Sequence, residues 1–544
     1  MKNFAFIFLC CLLGLSACKS NQVDLIVYNA RIYTVNENFD IVEAMAIQDG
    51  KILATGTTAE IQEQFSAKES LDAQGKAIYP GFIDAHAHFY GLGESLQYAD
   101  LREAQSWDEI LSRLSDFSKT HPEGWLLGRG WDQNDWPGKE FPDKAKLDEL
   151  FPDRPVMLTR IDGHAAIVNQ KAFEMAGLTS AVPIVGGEIQ VKNNQLTGIL
   201  IDNAMGLIAE KIPSPDLDKR KQLLRDAQQA SFEMGLTTVV DCGSDFELVE
   251  LMEAMQSEND LKMRLYVMLS DAEKNYDYLI KRGAIKTDRM NVRSFKVYGD
   301  GALGSRGACL LHPYSDKPTQ SGFLLSNLEH YEKVAQKIYD NGFQMNTHAI
   351  GDSANRAILK IYQKVLGGKN DKRWRIEHAQ VVNSADFERF GQASIIPSVQ
   401  PTHATSDMYW AEDRLGASRV KGAYAYKQLL AQNGWMPLGT DFPVEHVNPM
   451  YTFFAATFRQ DAKLYPAKGY QMENALSREE ALKGMTIWAA KGNFEEGEKG
   501  SLEKGKFADF ILLDQDIMKA DANQILNNKV IKTYIQGEKV YERP

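Results

Sequence analysis

The chain has 544 residues, of which 44% are hydrophobic and 25% charged, a composition typical of a soluble globular protein with one large domain or two to three domains. Asp and Glu (73) outnumber Lys and Arg (61), giving a formal net charge of −12. The sequence has no long basic run, and this argues against nucleic acid as a partner.

The first 20 residues have the pattern of an export signal. An early lysine precedes an apolar run that is too short to span a membrane. Residues 15–18 (LSAC) resemble the bacterial lipoprotein box, which implies cleavage of residues 1–17 and lipidation of Cys18. The alternative is an ordinary signal peptide with an incidental cysteine. We therefore expect an exported protein, anchored by lipid to a bacterial membrane at the periplasmic face or the cell surface.

Short β-branched runs, interrupted by Asn, Asp and Gly, occupy both ends of the mature chain. They predict small antiparallel β segments. Between them, apolar strands alternate with helical patterns, which predicts a parallel sheet of the α/β class. Eight strand candidates favour a (β/α)8 barrel, and they lie in the segments AIYPGFIDAHAH, GLTTVVDCG, KMRLYVMLS, VRSFKVYGDG, GFQMNTHAIG, RWRIEHAQ, ASIIPSVQP and WMPLGTDFP. Residues from about 95 to 232 are too many for one crossover, so we interpret them as a large insertion.

Two histidines, His86 and His88, end the first predicted barrel strand. Side chains two positions apart in a strand point to the same side, and catalytic residues of such barrels collect at the carboxyl ends of the strands. Two imidazoles on one side can bind one metal ion. Three more metal-compatible residues end other predicted strands: His348, His378 and Asp441.

Lys296 is a sixth candidate ligand, within the apolar strand segment SFKVYGDG. A charged lysine is costly to bury there. The functional interpretation is carboxylation by CO2, which would turn the cation into an anion able to bridge two metal ions. The alternative is a lysine that pairs with a carboxylate, for example Asp300, or reaches solvent.

The segments GFIDAHAHF, SFKVYGDGALGSRGA, MNTHAIGD, RIEHAQ and GTDFPV, in this order, resemble the amidohydrolase superfamily. The closer resemblance is to its N-substituted-formamide-deformylase-like branch, the amidohydrolase 3 type. It implies a barrel domain over 80–494, a small β-sandwich domain built from 18–79 and 495–544, and hydrolysis of a carbon–nitrogen bond other than a peptide bond. The family's metal ligands correspond to His86, His88, His348, His378 and Asp441, and its carboxylated lysine to Lys296.

The expected cofactor is one or two divalent ions per chain, with zinc the first choice for a histidine-rich site. Asp441 is the expected general base as well as a ligand. The expected partner is a small amide-type substrate, an N-formyl, N-acyl or cyclic amide, and the sequence leaves the oligomeric state open. Trp131, His164 and Arg306 are candidate substrate contacts. Their alternatives are packing for Trp131, a satisfied polar core residue for His164 and a salt bridge for Arg306.

Two other functions are alternatives. One is a metal-dependent deaminase of the same superfamily, although the purine type usually has His-x-x-Glu at the fifth strand and the sequence here is HAIG. The other is a non-catalytic lipid-anchored binding protein, which the complete set of ligand-type residues argues against.

Overall fold

A parallel sheet dominates the computed structural model, which describes residues 21–544; the predicted signal and Cys18 lie outside them. Seven parallel strands follow one another in chain order across this sheet. They are Phe82–Ala87, Leu236–Ser244, Arg264–Ser270, Met290–Tyr298, Gln344–Ala349, Arg375–His378 and Ile396–Ser398. A short strand, Ile285–Lys286, pairs antiparallel with the fourth.

The eighth expected strand, WMPLGTDFP, has no strand of its own, but its chain closes most of the gap between the seventh and first barrel strands. Leu438 forms a parallel bridge with Val399 on one side. On the other side Leu438 O accepts from Ala85 N (3.2 Å) and Asp441 N donates to His86 O (2.7 Å). Regular pairing fails because Pro437 lacks an N–H group and Asp441 has a left-handed φ of 64°. The prediction of an α/β barrel sheet is confirmed, with this irregular eighth member.

Helices cover the outside of the barrel sheet with apolar faces, such as Val334 and Ile338 on one and Ile358 and Leu359 on the next, which share one core with the strands. The helices after the second to sixth barrel strands are Phe246–Ser257, Glu273–Arg282, Leu328–Asp340, Asp352–Leu366 and Phe387–Gln392. After the seventh strand come Pro401–Asp407, Ala411–Arg419, Tyr426–Asn433, Pro449–Phe458, Arg478–Gly484 and Ile487–Gly492.

The segment between the first and second barrel strands contains a separate six-stranded sheet with its own hydrophobic clusters. Its strands are Ala99–Asp100, Leu126–Trp131, Val156–Arg160, Ala165–Val168, Gly187–Lys192 and Gln195–Asp202. The helices of this segment are Phe89–Ser95, Trp107–Thr120, Ala145–Leu150, Gln170–Ala176, Gly206–Ala209 and Leu217–Glu233. We call the chain from 95 to 232 the insertion.

Two further sheets contain the chain ends. The four-stranded sheet comprises Asn21–Tyr28, Ala44–Gln48, Lys51–Gly56 and Phe65–Asp72, with helix Thr58–Gln64. The six-stranded sheet comprises Arg31–Tyr33, Ile41–Val42, Ala77–Pro80, Phe510–Leu513, Val530–Ile535 and Glu538–Glu542, with helix Ala522–Leu526 between its strands. Strands from both chain ends thus pair in one sheet, and side chains of both sheets share a cluster. Their separation as a small domain stays a prediction, as do the domain boundaries.

Within residues 21–544, no helix is both long and apolar enough to cross a membrane.

Candidate metal centre

The carboxyl ends of the barrel strands bring the predicted ligands together around Asp441. Its Oδ1 lies 3.6 Å from His86 Nε2 and 3.2 Å from His88 Nε2. Neither contact has hydrogen-bond geometry, and Oδ1 has no hydrogen-bond partner among residues 21–544. His86 is fully buried, whereas the side chain of His88 is 31% exposed. The first strand therefore places one ligand deep and one at the mouth.

Hydrogen bonds fix which ring nitrogens face the centre. His86 Nδ1 donates to Glu377 Oε2 over 2.6 Å, because a carboxylate can only accept. Its Nε2 is then an acceptor, and it accepts from Lys296 Nζ at 3.1 Å. His378 Nδ1 similarly donates to Gln400 Oε1 at 2.7 Å. Second hydrogen bonds of this kind orient metal-binding histidines and fix their tautomer.

The imidazole rings form a continuous group at the centre of the barrel mouth. The ring centroid of His378 is 4.7 Å from that of His86 and 4.5 Å from that of His348. His348 Nε2 is buried and has no hydrogen-bond partner in the described chain; its distance to Asp300 Oδ1 is 3.7 Å. The structure thus places all five predicted His and Asp ligands in one group.

Lys296 is buried within the same group and forms no ion pair among residues 21–544. Its Nζ approaches His86 Nε2 and lies 4.9 Å from the centre of the Tyr298 ring. The alternative partner, Asp300, is engaged elsewhere, since its carboxylate accepts from the backbone N–H groups of Cys309, Ile350 and Gly351. A pairing of Lys296 with Asp300 is therefore not observed.

The residues present fit a divalent cation. Two groups of three residues each offer donor atoms that lie within 4.8 Å of one another. One group is His86, His88 and Asp441, and the other is His378, His403 and Asp441. Buried polar atoms without partners are costly, and three of them meet here: Asp441 Oδ1, His348 Nε2 and His403 Nε2. A cation among these atoms would satisfy them, and imidazole and carboxylate ligands suit zinc and related ions.

Burial and neighbouring charges give the ligands the required protonation states. Burial lowers the pKa of His86 to about 4. The charge of Lys296 also lowers this pKa, whereas the charges of Glu377 and Asp441 raise it. Burial alone would raise the pKa of Asp441, but neighbouring histidines, His86 first among them, hold it well below its usual range. At neutral pH, therefore, His86 is neutral and Asp441 is ionised, which are the ligand forms.

A buried carboxylate, Asp84, connects the first strand to the closing segment. Its Oδ1 accepts from His86 N (3.1 Å) and Thr440 N (3.0 Å), and its Oδ2 accepts from Thr440 Oγ1 (2.6 Å). Between them, Gly439 has no room for a side chain, because an added Cβ would lie 2.5 Å from His86 N. Asp441 follows with its left-handed backbone, a strain that packed surroundings must maintain.

The three predicted substrate contacts differ in their positions. His164 lies at the centre, with its ring centroid 4.9 Å from that of His348 and its Nδ1 donating to Asp202 Oδ1 at 2.6 Å. Arg306 forms a salt bridge with Asp316 at 2.9 Å, as the alternative to a substrate contact predicted. It also lines a polar cavity between the insertion and the loop after the fourth barrel strand.

Trp131 has no exposed surface and packs in the hydrophobic cluster of the insertion, where its Nε1 donates to Leu158 O at 2.8 Å. This packing corrects the prediction of Trp131 as a substrate contact, because a fully buried indole whose N–H is already bonded offers a ligand no surface.

Sequence reasoning missed several participants. Glu377 and Gln400 each orient a ligand histidine. His403 stacks on His378, with its Nε2 3.7 Å from Asp441 Oδ2. A carboxylate directly before the predicted ligand His378, at the end of a predicted barrel strand, was the available signal for Glu377. Gln400 and His403 follow the seventh barrel strand, where the position alone marks them.

Comparisons with known proteins agree with this geometry. Residues 69–541 match the amidohydrolase family. The chain is 31% identical over 523 residues to the putative amidohydrolase YtcJ of Bacillus subtilis, covering 94% of this chain and 98% of that protein. It is 24% identical over 553 residues to the N-substituted formamide deformylase of Arthrobacter pascens, covering 96% and 98%.

Among solved structures, an uncharacterized metal-dependent hydrolase from Pyrococcus horikoshii OT3 superimposes with a TM-score of 0.75 at 27% sequence identity. The match covers 92% of this chain and 99% of that one. The likeness therefore includes the terminal sheets and the insertion as well as the barrel.

Proposed function

Since the chain belongs to the amidohydrolase family of metal-dependent hydrolases, we propose that it hydrolyses a carbon–nitrogen bond other than a peptide bond, in an N-formyl, N-acyl or cyclic amide. A relative similar along nearly its whole length is a formamide deformylase, which supports this class of bond.

One observation carries the proposal. The donor atoms of the predicted ligands converge at the carboxyl ends of the strands. The carboxylate that they surround, Asp441, has an oxygen with no hydrogen-bond partner in the described part of the chain. When bound, a divalent metal would polarise the substrate carbonyl and lower the pKa of a water molecule toward about 7. We propose zinc, because imidazole is the predominant ligand.

Residues of the chain perform the remaining steps. Asp441, ionised at neutral pH, accepts the proton of the attacking water through its free oxygen and delivers it to the leaving nitrogen. His86, His88, His348 and His378 hold the metal, with Glu377 and Gln400 keeping two of these rings in the ligand tautomer.

Lys296 decides whether one or two ions are held. As an ammonium it would repel cations beside His86. We propose that it loses one proton to water, and that the neutral amine nitrogen then attacks CO2 and loses a second proton to water, which gives a carbamate. The carbamate would supply an anionic oxygen to each of two ions. The burial of Lys296 and the absence of an ion-pair partner for it among residues 21–544 support this step.

The test is turnover of a panel of N-formyl, N-acyl and cyclic amides by metal-loaded protein, measured as amine release. We expect at least one class to be hydrolysed, with activity lost in Asp441→Asn and after chelation. Activity that survives chelation would contradict the proposal. Release of ammonia from an aminopurine, with no amide hydrolysed, would favour the deaminase alternative.

A further inference from the structure

Arg129, in the insertion strand Leu126–Trp131, has no carboxylate partner among residues 21–544. A guanidinium has five N–H donors. In the described chain only one is used, by Nη2 to Ile161 O at 3.3 Å, while Nε is buried without a partner. A guanidinium that is largely removed from water and unpaired is costly to maintain, which indicates a binding role.

Contacts place this guanidinium beside the metal centre. It lies against Gly163, where an added Cβ would be 3.4 Å from Nη2. The next residue, His164, has its ring centroid 4.9 Å from that of His348. The negative charge of Asp441 also acts on Arg129, raising the pKa that burial lowers.

The other arginines of this region are already engaged. Arg160 contacts Asp162 through Nη1 at 2.6 Å, and its other nitrogens bond Asp132 and Gln133. Arg306 pairs with Asp316. Among these three arginines of the described chain, Arg129 is the one without a carboxylate partner.

We propose that Arg129 binds a carboxylate of the substrate, so that the enzyme selects amides that carry a negative charge, such as N-acyl amino acids. The inference rests on the proposed function and narrows its substrate class. The planar fork of the guanidinium matches a carboxylate with two parallel hydrogen bonds. The negative charge of Glu94 also acts on Arg129, so Glu94 opposes the binding of a further carboxylate there.

The test compares binding of N-benzoylglycine and N-benzoylglycinamide, which differ in one negative charge, to the metal-loaded protein by calorimetry. For the wild type we expect the carboxylate to bind at least tenfold more tightly than the amide. Arg129→Gln should abolish this preference with metal content unchanged, Arg129→Lys should keep part of it, and Glu94→Gln should increase it. Arg113→Gln, which removes an ion-paired arginine on a helix of the insertion, should leave it intact.

The assignment would be overturned if the wild type bound the two compounds equally. It would also be overturned if the preference survived in Arg129→Gln, since the metal alone would then attract the carboxylate. Because the readout is binding, it stands apart from turnover. A protein that shows the Arg129-dependent preference but hydrolyses no amide would contradict the proposed function and leave the carboxylate site in place.

Discussion

Glu377 Oε2 accepts a 2.6 Å hydrogen bond from His86 Nδ1, and neither side chain is exposed. The two residues come from the sixth and first barrel strands, which are not neighbours in the sheet, so the bond crosses the barrel interior. It determines that His86 presents Nε2 to the metal centre. The carboxylate therefore acts through the histidine, as a positioning residue.

Replacing Glu377 with Gln should lower metal affinity by about tenfold to a hundredfold, because outer carboxylates raise ligand basicity and fix ring orientation. The measurement is metal competition with a chromogenic chelator. The matched control is Glu495→Gln, a buried glutamate paired with Lys499 at 2.8 Å. That variant should lose stability without losing metal affinity, and equal losses of affinity in both variants would contradict the role of Glu377.

Lys296→Ala should lower the metal stoichiometry and reduce turnover severely, because it would remove the proposed bridging carbamate. Short carboxylic acids should restore part of the activity by occupying the vacated position. Bicarbonate should speed reactivation of the metal-stripped wild type, and labelled bicarbonate should give a carbamate signal by NMR. An unmodified amine in fully active, metal-loaded protein would exclude the bridge and leave a one-metal mechanism with Asp441 as base.

Gly439→Ala should destabilise the protein by about 1–3 kcal/mol, the usual cost of an overpacked core position. The Cβ of the new alanine would collide with His86 N and Asp84 Oδ1. Because this would displace the ligand His86, turnover should fall as well. Gly497→Ala is the control, because an added Cβ there meets no atom within 4 Å; its effect should stay within about 0.5 kcal/mol. Denaturant midpoints of the two variants provide the measurement, and similar midpoints would contradict this account of Gly439.

The positions of the ligand residues were predictable from the sequence. Side chains alternate along a strand, and the carboxyl ends of all barrel strands meet at one mouth. His86, His88, His348 and His378 each lie at the end of a predicted barrel strand, and the structure brings them together. The eighth strand was expected to be regular, but a proline and a left-handed aspartate interrupt it. Such interruptions depend on packing against the first strand, which sequence periodicity does not show.

Contacts between distant segments were not predictable. Arg129 and Arg306 are both arginines next to glycines, and only the fold shows that Asp316 neutralises one of them. Trp131 and the pair of His164 with Asp202 illustrate the same limit, since the sequence cannot tell which face of the insertion sheet meets the barrel.

Cys18→Ser should release the protein into the soluble fraction or block processing of the signal, if residues 15–18 are a lipoprotein box. Two or more acyl chains anchor stably, whereas one is marginal. Fractionation of membranes, with the wild type alongside, is the measurement. A correctly cleaved Cys18→Ser protein that stays in the membrane fraction would contradict lipidation at this residue.

The central claim is that the histidine group at the barrel mouth holds the metal on which hydrolysis depends. Its most direct test is elemental analysis, with amide hydrolysis in parallel, of the double variant His86→Ala/His88→Ala. The control is His121→Ala/His312→Ala, which changes two exposed histidines. We predict that the first double variant loses metal and turnover together while the control keeps both. Full metal occupancy in His86→Ala/His88→Ala would contradict the claim.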